Sequence, residues 1–150
     1  MPSVLFVCTA NIIRSPFAEG YFRKLIQNNF QAWQVSSAGT WARRGDSAHP
    51  LVLKKLEEFG INMQDHRSRE VSGRLLADVD IIFVMEEKHR EALRIEFPRS
   101  AWKVHLLSEL KGQEQDIVDP IGGKEIDYQA TFSEIGLYIE NSLDKIRDMI

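Results

Sequence analysis

Cys8 is the only cysteine in this 150-residue sequence, and Arg14 and Ser15 follow it six and seven positions on. A thiolate is a strong nucleophile, a guanidinium grips two oxygens of one phosphate, and a hydroxyl beside a thiolate steadies it by hydrogen bonding. Thr9, Ala10, Asn11, Ile12 and Ile13 lie between them. Their successive amides are placed to curl around a tetrahedral dianion, with the sulfur beneath the phosphorus for in-line attack. That chemistry is phosphoryl transfer through a cysteine. Expelling an alkoxide or phenoxide then calls for a proton donor, and the best-placed carboxylate is Asp119, in Asp119-Pro120-Ile121-Gly122-Gly123. The proline stiffens it and the glycine pair leaves room for a substrate. Asp116 is the competitor, and an Asp before Pro is also a common turn residue.

The elements around Cys8 must make it a ligand-facing group rather than a buried, inert thiol. Val4 to Val7 form an apolar run that reads as a buried strand, and Ser15-Pro16 reads as an N-cap followed by proline at the first helical position. Cys8 therefore opens a strand-to-helix loop, which aims amides and the positive end of a helix dipole at an anion. Helical spacing predicts helices over Pro16 to about Asn28, Ser47–Phe59 with Gly60 as C-cap, Ser72–Ala77, Glu87–Glu96, and one long helix carrying Tyr128, Phe132, Ile135, Ile139, Leu143, Ile146 and Ile150. Further strands are expected at Trp33–Ser36, Ile81–Met85 and Val104–Leu107, with Ser37–Gly45 as a turn-rich loop. Alternating strands and helices predict one α/β domain over 1–150. Its sheet is four-stranded and parallel, with helices on both faces and the phosphate-binding loop after strand one. Such sheets bind ligands at the carboxyl ends of their strands, where Cys8 falls.

Composition narrows the function further. A net charge of -3 argues against a general nucleic-acid binder, which needs a basic face. The N-terminal apolar stretch is shorter than a signal-peptide core or membrane span, which predicts a cytoplasmic protein without membrane insertion. A single cysteine excludes an internal disulfide, a cysteine-rich zinc site and electron shuttling between two thiols of this chain. Neither a metal nor an organic cofactor is expected.

The residues 7–16 (Val-Cys-Thr-Ala-Asn-Ile-Ile-Arg-Ser-Pro), Ser-Ala-Gly at 37–39, Asp-His-Arg-Ser-Arg at 65–69, Val-Met-Glu with His89 behind it, and Asp119-Pro120 before a terminal helix resemble the low-molecular-weight protein tyrosine phosphatases, bacterial members above all. The resemblance runs nearly end to end. It implies hydrolysis of a tyrosine-phosphorylated protein or small aryl phosphate through a phosphocysteine on Cys8, and it selects Asp119 as the acid. Arg14 and the loop amides would hold the phosphoryl oxygens, and Ser15 would donate to the sulfur. In the family an Asn, two Ser and a His hold the loop in shape, which maps here onto Asn11, Ser15, Ser37 and His66. From sequence alone His66 reads equally well as a surface histidine. Trp41 falls where relatives place a bulky pocket wall.

The chain departs from the family pattern in four ways. Ala10 replaces a usual Gly, Ile13 stands where many relatives have Cys, and Ile121-Gly122-Gly123 replaces aromatics after the Asp-Pro. Ile12 stands where arginine phosphatases of the family carry Thr, which favours phosphotyrosine, whereas Asp-Pro-x-Gly-Gly itself resembles those arginine phosphatases. Arsenate reductase shares the cradle but needs further cysteines. A phosphocysteine carrier or phosphate-binding module would use the same nest and thiolate without a positioned acid. Without a cysteine at position 13 to trap an oxidised Cys8 as a disulfide, prolonged peroxide exposure is expected to carry Cys8 to irreversible acids. Reductant added afterwards should then recover little activity, and full recovery with no thiol present during exposure would contradict this.

Overall fold

Val4, Leu5, Phe6 and Val7 are wholly excluded from solvent, because they form the strand that neighbours cover on both edges and both faces. The structure is a computed structural model and describes residues 1–28 and 32–150. The elements are β1 (Ser3–Cys8), α1 (Arg14–Ile26), β2 (Gln34–Gly39), α2 (Pro50–Glu58), α3 (Gly73–Asp78), β3 (Ile81–Val84), α4 (Glu87–Glu96), β4 (Val104–Leu106), α5 (Glu125–Ile139) and α6 (Leu143–Met149), with 3-10 turns at Pro98–Lys103 and Leu107–Lys111. All strands are parallel in the order β2-β1-β3-β4. The register sets Cys8 beside Gly39 and Val7 beside Val84.

Alternation along β1 divides the core in two. Val4, Phe6 and Cys8 face Phe17, Phe22, Leu56, Phe132 and Ile135 of α1, α2 and α5, while Leu5 and Val7 face Leu76 and Leu93 of α3 and α4. Cys8 thus ends the face on which α1 packs. From β1 the chain goes to β2 on one side and later to β3 on the other, so a topological switch lies at the carboxyl end of β1, where such sheets open a crevice. Among the described residues no helix is long and apolar enough to cross a membrane.

Several boundaries differ from the sequence expectation. The terminal helix is two helices: Asn141 takes a left-handed φ of 58° between α5 and α6. The apolar stripe hides this break, since Ile146 follows Ile139 at a spacing that a continuous helix would also give. Helix α1 begins at Arg14 with Ile13 as its N-cap, so Ser15 is not the cap. Residues 37–39 are strand rather than loop, because parallel pairing with Phe6, Val7 and Cys8 outweighs the local turn preference of Ser and Gly. Trp33 lies just outside β2, and Met85 and Leu107 lie just past β3 and β4. Helix α2 starts at Pro50 rather than Ser47, capped by His49, whose Nδ1 accepts from Leu51 N at 3.1 Å.

The α1–α5 contact carries the layer under the loop. Phe17, two residues beyond Ser15, stacks on Phe132 with ring centroids 4.5 Å apart. Phe17→Ala should lower unfolding free energy by about 3–5 kcal/mol in urea titration, the usual cost of emptying a buried aromatic site.

Candidate active site

The chain between β1 and α1 closes on itself through Asn11. Its φ of 58° is a left-handed value that asparagine tolerates, and its side chain is fully buried. Asn11 Nδ2 donates to Ser15 Oγ at 2.8 Å and Ser37 Oγ at 3.0 Å, while its Oδ1 accepts from Arg69 N at 3.1 Å. His66 Nε2 meets the Asn11 carbonyl oxygen at 2.9 Å. The loop is therefore tied to α1, to β2 and to the 66–69 segment through one residue.

The direction of these bonds follows from one carboxylate. Ser37 Oγ donates to Glu19 Oε1 at 2.7 Å, and Glu19 Oε2 pairs with Arg23 at 2.5 Å. An ionised carboxylate only accepts, so Ser37 spends its proton there and receives from Asn11. Ser15 likewise receives from Asn11, and its one proton is within reach of Cys8 Sγ at 3.0 Å and of the Ala38 carbonyl at 3.4 Å. These contacts explain why Ser15 does not cap α1.

Arg14 is 1% exposed, and a guanidinium so buried must be matched by acceptors. Its NH1 donates to Glu86 Oε2 and to the Ile117 carbonyl, both at 2.7 Å, and its NH2 lies 3.5 Å from Asp119 Oδ2. Ile117 N in turn donates to the Met85 carbonyl at 2.9 Å, fastening the segment before Asp119 to the end of β3. Cys8, Ala10, Ile12, Ile13, Arg14, Asp119 and Ile121 line one cleft. Asp119 Oδ1 accepts from Ile121 N at 3.1 Å, a turn bond that aims the other oxygen at Arg14. Asp116 Oδ1 instead accepts from Glu87 N at 2.8 Å at the start of α4, outside the cleft lining.

The other residues singled out by sequence occupy different places. Thr9 is held by its side chain to His89 and Asn11 is fully buried, and neither lines the cleft. Trp41 donates its N–H to the Thr9 carbonyl at 3.0 Å, but its side chain is 83% exposed and does not line the cleft. Gly39 explains the Ser-Ala-Gly run: a Cβ there would overlap the Thr9 carbonyl oxygen and lie 2.9 Å from Ala42 Cβ. Among the described residues no group of three His, Cys, Asp or Glu is arranged to hold a metal ion.

Sequence reading missed Glu19 and the Ile117 carbonyl, and it named Glu86 and His89 in a motif without giving either a role. Glu19 sits one helical turn after Ser15, a spacing that marks a shared face without naming a partner. Glu86 and His89 share the first turn of α4: His89 Nδ1 accepts from Glu86 N at 3.1 Å, and the His89 amide donates to the Glu86 carbonyl at 3.0 Å. Glu86 at the N-cap with its partner at the third helical position is the readable part of that signal. No sequence signal marks the Ile117 carbonyl, since any residue supplies one.

A family model described as low molecular weight phosphotyrosine protein phosphatase matches residues 3–149. The pig low molecular weight phosphotyrosine protein phosphatase is 34% identical over 155 aligned positions, covering 97% of this chain and 96% of its own. A protein-arginine-phosphatase of Bacillus subtilis (strain 168) is 32% identical over 133, covering 88% of each. The crystal structure of a low molecular weight protein tyrosine phosphatase from T. tengcongensis superposes with a TM-score of 0.88 at 32% identity, covering 100% of both chains.

Burial, with Arg14 and then Lys88 as positive neighbours, lowers His89 to about 3, outweighing the opposite pull of Asp116 and Asp119. The unfolded chain takes up this proton as pH falls through the ordinary histidine value, and the folded chain only near the lowered one. Stability is therefore whole above that ordinary value and declines throughout the window below it. Between about pH 7.5 and pH 5 this group should remove about 2 kcal/mol of unfolding free energy. Urea titrations at both pH values should show His89→Asn losing that much less than wild type.

Proposed function

Because the chain belongs to the low molecular weight phosphotyrosine protein phosphatase family, we propose that 1–150 acts as one such domain and hydrolyses phosphotyrosine in proteins through Cys8. The observation that carries the reading is the 3.0 Å hydrogen-bond contact between Ser15 Oγ and Cys8 Sγ, beside a cleft that Cys8, Arg14 and Asp119 line together.

In the first step the Cys8 thiolate attacks phosphorus, an S–P bond forms and the P–O bond to tyrosine breaks. Asp119 gives its proton to the departing phenolate oxygen. In the second step Asp119, now a carboxylate, takes a proton from water as its oxygen attacks phosphorus, and the S–P electron pair returns to sulfur. The Ser15 hydroxyl favours that return by donating to the thiolate. Arg14 and the amides of Thr9 to Arg14 hold the equatorial oxygens through both steps, where phosphoryl-transfer enzymes find most of their acceleration. Glu86 and the Ile117 carbonyl fix NH1 of Arg14, leaving the rest of the fork for substrate.

A second reading, phosphoarginine as substrate, draws on the similarity to the Bacillus subtilis protein-arginine-phosphatase and on Asp119-Pro120-Ile121-Gly122-Gly123. Tyrosine is favoured because Ile12, Ile13 and Ile121 give the cleft aliphatic walls suited to an aryl group, and Asp119 is its only carboxylate. A guanidinium leaving group would compete with Arg14 for that one acid.

Phosphotyrosine, phosphoserine and phosphoarginine peptides compared on wild type and Ile12→Thr test the assignment. Wild type should prefer phosphotyrosine, and a preference for phosphoarginine would replace the first reading with the second. Cys8→Ser should abolish turnover, and Asp119→Ala should lower kcat by roughly a hundredfold or more, the usual share of a general acid. A stable stoichiometric phosphoenzyme in wild type would instead indicate a carrier.

A further inference from the structure

One turn of chain, Glu86 to His89, touches both ends of the phosphate loop. Glu86 holds Arg14 at the far end, and His89 Nε2 lies 2.8 Å from Thr9 Oγ1, next to the nucleophile. Because His89 Nδ1 accepts from Glu86 N at 3.1 Å, its lone pair is occupied and the proton of the neutral ring resides on Nε2. That N–H donates to Thr9. The ring is 2% exposed in its side chain, so both nitrogens have found partners inside the protein and its plane is fixed by two bonds in opposite directions.

Capping α4 requires only the first of these bonds, and a short carbonyl or carboxylate would supply it. The second bond leaves the helix entirely and ends on the loop. Thr9 also accepts Trp41 N on its carbonyl at 3.0 Å, so side chain and backbone are tethered to different elements, α4 and the segment after β2.

We propose that His89 is a positioning residue for catalysis: through Nε2 and Thr9 it sets the nucleophile end of the phosphate loop relative to Arg14. This rests on the phosphatase reading above. The sulfur and the first loop amides then converge on the same phosphoryl group that Arg14 grips, and the distance between the two ends is fixed by the rigid Glu86–His89 turn rather than by the loop.

The experiment compares wild type, His89→Asn, Thr9→Val, Thr9→Ser and the His89→Asn/Thr9→Val double variant. Asn keeps an acceptor where Nδ1 lies but falls short of Thr9. Val keeps the shape of Thr9 without its hydroxyl, and Ser keeps the hydroxyl. Readouts are the thermal midpoint, kcat/KM for an aryl phosphate and inhibition by inorganic phosphate. His89→Asn and Thr9→Val should each lower kcat/KM and weaken phosphate binding by about tenfold, the value of one hydrogen bond of roughly 1.4 kcal/mol. The double variant should be no worse than the weaker single, and Thr9→Ser should recover most of the activity that Thr9→Val loses. Wild-type constants in folded His89→Asn would reduce His89 to a cap, and multiplied losses in the double variant would show that the two act independently; either overturns the proposal. If His89→Asn fails to fold, Thr9→Val decides alone, since it leaves the cap intact and wild-type constants in it overturn the proposal. Wild type without turnover overturns the phosphatase reading and the proposal with it.

Discussion

A guanidinium with 1% of its surface exposed cannot be left without acceptors, and the placement of Arg14 organises the rest of the site. Three separate pieces of chain meet it: Glu86 just past β3, the carbonyl of Ile117, and Asp119. Each is far from Arg14 in sequence. Of the two carboxylates that meet it, Asp119 is the more exposed, at 35% of its side chain against 16% for Glu86.

A second constraint is the direction of protons. The buried Glu19 carboxylate can only accept, and the chain Glu19, Ser37, Asn11, Ser15, Cys8 inherits its polarity one bond at a time. Four hydrogen bonds thus link the Glu19 carboxylate to the Cys8 sulfur, through Ser37, Asn11 and Ser15. Asn11 is where this relay meets the backbone, and its left-handed φ lets one side chain serve α1, β2 and Arg69 together. Buried polar networks of this kind rigidify a site only when every member is matched, as these are.

Much of this was legible before folding. The buried strand before Cys8, the spacing to Arg14 and Ser15, the parallel sheet and its helices follow from apolar periods and residue chemistry, which act over a few residues. What failed were local rules overridden from a distance. Ser15 looks like an N-cap because serine prefers that position, yet its hydroxyl is claimed by Cys8 and Asn11. Residues 37–39 look like a turn, yet pairing with β1 makes them strand. Asn141 breaks a helix whose apolar stripe continues across the break.

The sequence by itself determined the lone thiol, the guanidinium six positions beyond it and the absence of a second thiol, because identity and short spacing are properties of the chain. The sequence already preferred Asp119 to Asp116, three residues earlier, and the tertiary structure showed where each side chain is held. One faces Arg14 and the other is consumed at the N-terminus of α4. It alone brought Glu19, Glu86, His89 and the Ile117 carbonyl to the loop. Those contacts span tens of residues and depend on which carbonyl or side chain the packed strands and helices bring within hydrogen-bond reach.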